Sequence, residues 1–196
     1  MALGALFCAF TIAIGVAAPA IPSGAGKFVN DLAVTVVALF NNPRLSPDDK
    51  ENGMRAIAVR DFDVPRTARF VLGRYWKDTP EQQREEFRRT FEHYMVHIYA
   101  GQFNLYHDVS FDVKSAQPID DNRTLVRTVI TRRDMRPPIH VDWQVVRSGN
   151  GYKIIDVSVE GVSQLLVLRD QFMEVMDHNG GSVSGLIATL RQKTGA

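Results

Sequence analysis

An α+β domain, with helices laid over a four-stranded antiparallel sheet, is the fold that three features of this sequence predict. Apolar residues keep a helical period up to about residue 100, alternate with a period of two between about 109 and 159, and become helical again after Gly161. Runs of helix, then strands, then helix imply helices segregated to the apolar face of an antiparallel sheet rather than a parallel βαβ arrangement. With 196 residues, 45% of them hydrophobic, the chain has material for one sizeable core.

The elements follow in order. Over 28–40, Phe28, Leu32, Val36 and Leu39 or Phe40 recur at helical spacing, and Asn41-Asn42-Pro43 ends that helix. Ser46-Pro47-Asp48-Asp49 opens the next: a capping serine, a proline in the first turn and acids at the positive end of the dipole. It turns Met54, Ile57 and Ala58 inward. Asp61-Phe62-Asp63 breaks the pattern, and Asp63 is placed to cap a short helix over 64–73. Thr79-Pro80-Glu81-Gln82 has capping-box spacing and starts a helix to about residue 100, with Phe87, Phe91, Tyr94, Met95 and Ile98 along one side.

Four strands are expected over 109–117, 124–132, 139–147 and 152–159. Turn signals separate them at 118–122, at Arg136-Pro137-Pro138 and at Ser148-Gly149-Asn150-Gly151, which makes a meander the economical topology. Ile139, Val141, Trp143 and Val145 alternate with His140, Asp142 and Gln144, so one face is apolar. Ile155, Val157 and Val159 share a face of the last strand. Helices over 163–177, ended by Asn179-Gly180-Gly181, and from Val183 through Leu190 complete the chain.

Bulk properties narrow the function classes. A formal charge of +1, from 23 basic and 22 acidic residues, offers no global field for nucleic acid, which is not an expected partner. Residues 1–20 form an uncharged apolar segment ending in Ala18-Pro19-Ala20, the small-residue pattern of a cleaved secretory signal, so the mature chain is expected to begin near Ile21. The segment lacks a basic n-region, which leaves a retained anchor or a displaced start codon as alternatives. Cys8, the single cysteine, lies inside it after Leu6-Phe7, unlike the small residues that precede a lipidated cysteine. A mature chain without thiols needs no disulfide framework and suits the periplasm.

Catalytic and metal patterns are thin. His93 and His97 are four apart on one helix, but Glu92-His93-Tyr94-Met95-Val96-His97 has no glutamate where a zinc-protease motif needs it, so no metal is expected. Asp61 and Asp63 sit two apart in a break between helices, where capping explains them better than paired acid–base work. No Gly-x-Ser-x-Gly elbow and no phosphate-binding glycine loop occurs. Tyr75, Trp76, Phe87, Phe91, Tyr94, Phe103, Tyr106, Phe111 and Trp143 could fill a solid core or line a hollow one, and periodicity does not choose between the two.

Several separated motifs bear on that choice. Asp61-Phe62-Asp63 followed by Ala68-Arg69-Phe70-Val71-Leu72-Gly73-Arg74-Tyr75-Trp76, the helix over 80–99, and Val157-Ser158-Val159-Glu160-Gly161-Val162-Ser163 with Arg169, Phe172 and Gly185-Leu186-Ile187 occur in one order. Together they resemble the MlaC-type toluene-tolerance family of periplasmic lipid carriers across about 28–193. Asn179-Gly180-Gly181 resembles the family's hopanoid-associated HpnM branch.

The resemblance implies a cystatin-like or NTF2-like curved sheet whose helices enclose an apolar cavity, with 21–196 as one lipid-binding domain. It implies a carrier without catalytic residues or cofactors that shuttles a hopanoid or phospholipid and serves a membrane lipid-transport complex of the ABC type. Under it, the expected cavity wall is Phe91, Tyr94, Met95 and Ile98; the sheet residues Val141, Trp143, Val145, Val157 and Val159; and Leu165, Leu168, Phe172 and Val175. Arg69, Arg74 and Arg169 match the family's basic positions and could hold a lipid phosphate, for which a planar guanidinium is suited. A small α+β enzyme acting on a hydrophobic substrate in the same pocket is the rival of a different class.

Overall fold

A computed structural model describes residues 24–103, 109–132 and 135–195; the apolar segment 1–20, Cys8 and Tyr106 lie outside them. Its helices are α1 (Ala25–Asn41), α2 (Pro47–Asp61), α3 (Val64–Leu72), α4 (Glu81–Phe103), α5 (Gln164–His178) and α6 (Val183–Thr194), with a 3-10 turn (Gly73–Trp76) between α3 and α4. Its strands are β1 (Val109–Pro118), β2 (Arg123–Arg132), β3 (Met135–Ser148), β4 (Gly151–Val159) and β5 (Val162–Ser163). They form one sheet in chain order with every neighbour antiparallel.

The four expected strands are therefore joined by a fifth, two residues long. The turn that makes it, Glu160-Gly161, has positive φ at both residues (49° and 79°), as a two-residue hairpin demands. A second difference lies at Pro137-Pro138, which sits inside β3 rather than in a turn. The β4 ladder begins only at Val141, and the β2 ladder shifts register between Ile130 and Arg132, so the two missing N–H groups interrupt no regular pairing.

Further shifts at Val113/Ser115 and Gln144/Val145 place irregularities on three of the ladders, the kind of insertion that bends strands and curves a sheet. The junction of α2 and α3 is pinned to the sheet from outside. Lys153 donates from Nζ to the last carbonyls of α2, Val59 O at 3.0 Å and Arg60 O at 2.6 Å, and Asp63 N–H donates to Ile154 O at 2.9 Å. Phe62 forms a parallel bridge with Ile154. Ser46 and Asp49 cap α2 reciprocally, and Asp63 caps α3 by accepting the Arg66 N–H at 3.1 Å.

Two separate apolar cores result. One joins α3, α4, α5 and α6 through Ala68, Val71, Leu72, Phe87, Phe91, Phe172, Met176 and Leu186. The other packs α1, α2 and Val96 of α4 on the sheet through Val29, Leu32, Met54, Ile57, Val126, Val145 and Ile154. Helix α4 contributes to both, so apolar side chains occupy more than one of its faces.

Candidate functional site

Where the two cores approach, they do not close. An apolar cavity of about 240 Å³ lies between α1, α2, the start of α3, α4, one face of the sheet and the start of α5. That is larger than the roughly 150 Å³ apolar void that stays dry and takes up benzene in an engineered protein. It is slightly under the roughly 300 Å³ at which ordinary ligand pockets begin.

Each wall follows from local chemistry. Helix α1 supplies Leu32, Val36 and Phe40, and α2 supplies Met54, Ile57 and Ala58, the inward stripes of two amphipathic helices. The Asp61-Phe62-Asp63 break ends α2 so that Phe62 turns into the cavity while the two acids serve structure. Asp61 is 5% exposed and receives two hydrogen bonds from Arg60, at 2.9 and 2.6 Å. From the sheet come Val109, Phe111, Ile130, Ile139, Val141, Trp143, Ile155, Val157 and Val159. The register pairs Val141 with Val159 and Trp143 with Val157, so those four side chains form one continuous patch.

Of the residues expected in the wall, Phe91, Met95, Val141, Trp143, Val157, Val159, Leu165 and Leu168 line the cavity. Tyr94, Ile98, Val145, Phe172 and Val175 do not, and each has a core role instead. Tyr94 and Phe172 are buried in the α3–α6 core, with Ile98 and Val175 packed against it. Residues 87, 94 and 98 follow one face of α4, whereas 92, 95, 96 and 99 follow the face that meets the cavity, and Phe91 stands at the boundary, in the core and in the wall. Val145 lies past the Gln144/Val145 shift, paired with Ile154, and both are fully buried in the other core.

The α1 and α2 walls lie outside the expected set although their inward periodicity is visible in the sequence, and Glu92 and Tyr99 lie outside it because a polar residue carries no apolar-wall signal. Asp156 also borders the cavity. It accepts from Ser163 Oγ at 2.7 Å and from Leu165 N–H at 3.2 Å, which anchors the start of α5 to β4. Burial, helped by the negative charge of nearby Asp156, pushes the Tyr99 phenol up to about 12. The proton is held more tightly in the folded chain than at an ordinary phenol near 10, so stability is expected to fall as pH rises from about 10 to 12. Urea titrations across that range check this, and a Tyr99→Phe variant should have a shallower slope, the remainder coming from Tyr94, whose phenol burial also raises.

The arginines do not reach the cavity. Arg69 is exposed. Arg74 pairs with Asp177 at 2.7 Å and with the Tyr75 hydroxyl at 3.0 Å. Arg169 stacks over the Phe70 ring at 4.8 Å and packs beside Gly73, where an added Cβ would stand 3.2 Å from its Nη2. These contacts hold the outer face of α3 and the turn after it against α5. His93 Nδ1 accepts from Arg55 at 3.0 Å, so that imidazole is tied to α2 rather than turned toward His97, which is exposed.

Known proteins agree with this architecture. A phospholipid-binding protein from Ralstonia solanacearum, solved in complex with a phospholipid, superposes with a TM-score of 0.76 at 23% identity, over 88% of this chain and 98% of that one. The intermembrane phospholipid transport system binding protein MlaC of Haemophilus influenzae is 26% identical over 125 residues. That match spans 62% of this chain and 58% of the relative's length. Residues 30–192, which hold every strand and every cavity-lining residue described above and all but the ends of α1 and α6, match the MlaC protein family, and the chain belongs to it.

Proposed function

We propose that this chain is a lipid carrier of the periplasm. It holds the apolar part of a membrane lipid between its two cores and exchanges it with a membrane lipid-transport complex. The observation that carries this is the cavity: among the described residues its lining is apolar apart from Thr67, Glu92, Tyr99, Asp156 and the indole N–H of Trp143. Each methylene hidden from water is worth about 0.8 kcal/mol, so a long acyl chain crossing an aqueous space faces a barrier on the order of ten kcal/mol that such a cavity removes. Transfer of this kind requires no bond to be made or broken, and the chain acts as a carrier rather than an enzyme.

The cargo is a phospholipid, as the names of its relatives support, or a hopanoid, as the Asn179-Gly180-Gly181 resemblance supports. Purified protein extracted with organic solvent should yield stoichiometric lipid by mass spectrometry, and the mass identifies which. Recovery of no lipid from freshly purified protein would sink the proposal. Turnover of a lipid ester, abolished in His93→Ala, would establish the enzyme reading in its place.

A further inference from the structure

Along β3 the cavity stops at one residue. Ile139, Val141 and Trp143 belong to the lining, but Val145, next on that face, lies fully buried in the α1–α2 core. Val126, opposite Trp143 on β2, is also fully buried there and outside the lining. Trp143 belongs to both regions, since it borders the cavity and packs against that core. One pair of residues along, Val159, opposite Val141, borders the cavity and is 36% exposed, so the lining reaches the surface on that side of Trp143.

The indole is tied in place. Its Nε1–H donates to Thr128 Oγ1 at 3.0 Å, and that hydroxyl donates in turn to the Val141 carbonyl at 2.7 Å. Thr128 is 1% exposed, so both bonds are made away from water, where an unmade one is costly. The ring also meets Phe111 of β1 edge to face, with centroids 6.3 Å apart. From β3, Trp143 therefore leans across Thr128 of β2 toward β1. It stands as a partition between the open space and the buried valines behind it.

We propose that Trp143 limits the length of acyl chain that the cavity accepts, and that Thr128 is a positioning residue that holds the indole across the chain's path. The chain enters beside Val159 with its methyl end toward the indole. Each further methylene that finds apolar space raises affinity about fourfold, and one that meets a fixed ring gains nothing. A tethered partition thus turns a non-directional attraction into a preference for length. This rests on the lipid-carrier proposal and narrows its cargo.

The test offers delipidated protein vesicles holding equal amounts of dilauroyl, dimyristoyl, dipalmitoyl and distearoyl phosphatidylcholine. The protein is then separated from the vesicles, and the lipids bound to it are counted by mass spectrometry. Relative to wild type, Trp143→Ala should raise the bound distearoyl-to-dilauroyl ratio on the order of tenfold, as room for two further methylenes implies. Trp143→Phe, a milder change that serves if the alanine variant does not fold, should shift the ratio the same way. Thr128→Val removes the indole's acceptor and should also favour longer chains, whereas Thr128→Ser keeps the hydroxyl and should return the wild-type ratio. Circular dichroism confirms that each variant is folded. A wild-type ratio in the folded Trp143 variants would overturn the inference and leave the carrier standing, and one in folded Thr128→Val would remove Thr128 from it. Uptake of no phosphatidylcholine by a wild-type protein that yields another lipid on extraction would also overturn it. No uptake together with no extractable lipid would overturn the carrier proposal itself.

Discussion

Replacing Val141 with tryptophan is expected to cut the lipid that co-purifies with the protein about tenfold while leaving the domain folded. Val141 is 5% exposed, lines the cavity and pairs across the sheet with Val159, so an indole at this position projects into the open space between the cores. Inserting a larger side chain into a filled core costs about 1–3 kcal/mol because neighbours must move. Here the added bulk has a cavity to enter, so the thermal midpoint should change little and occupancy should bear the effect. Mass spectrometry of solvent extracts, normalised to protein, measures the loss. Undiminished lipid in a folded Val141→Trp protein would show that the ligand lies elsewhere.

Phe172→Ala should do the reverse. Phe172 is 2% exposed and meets Phe87, Phe91 and Tyr94 at ring-centroid distances of 6.3, 6.0 and 5.8 Å, edge-on to the two phenylalanines. Truncating such a ring removes its burial and leaves a void, about 3–5 kcal/mol for a buried phenylalanine. In a domain of this size that corresponds to a fall in melting temperature of about 10 °C. Lipid per folded molecule should be retained, because Phe172 fills the α3–α6 core and does not border the cavity. A large loss of lipid at unchanged stability would return Phe172 to the wall.

The contrast between these two residues measures how far the sequence could be read. Helix and strand positions were legible because their causes are local: Ser46 and Asp49 cap α2, Asp63 caps α3, Ser163 caps α5 by accepting the Leu166 N–H, and alternation through β3 and β4 is a backbone periodicity. The Asp61-Phe62-Asp63 break was legible as a break. That it would drive Phe62 into the cavity was not, because the lock comes from Lys153 and Ile154, more than ninety residues away for each of the α2 carbonyls that Lys153 binds.

Phe91 and Phe172 carry the same signal in sequence, an aromatic on the apolar face of a helix, yet one borders the hollow and the other does not. Val145 continues the alternation of Val141 and Trp143 without break, and only the register shift beside it carries it into the α1–α2 core. Glu92 and Tyr99 were invisible for the opposite reason. Polar side chains on a half-buried helix normally face solvent, and only the placement of α4 between two cores puts these two residues among those that line the cavity.

Elements, their caps, their inward faces and the family were thus settled by residues near one another in the chain. Whether those inward faces meet or stand apart was settled by distant contacts: the register shifts of the sheet, the pinned α2–α3 junction and an α4 shared by two cores. The reason is that hydrophobic burial has no direction. A valine gains equally by leaving water for a neighbour or for a lipid, so the same apolar pattern encodes a packed core and a cavity wall.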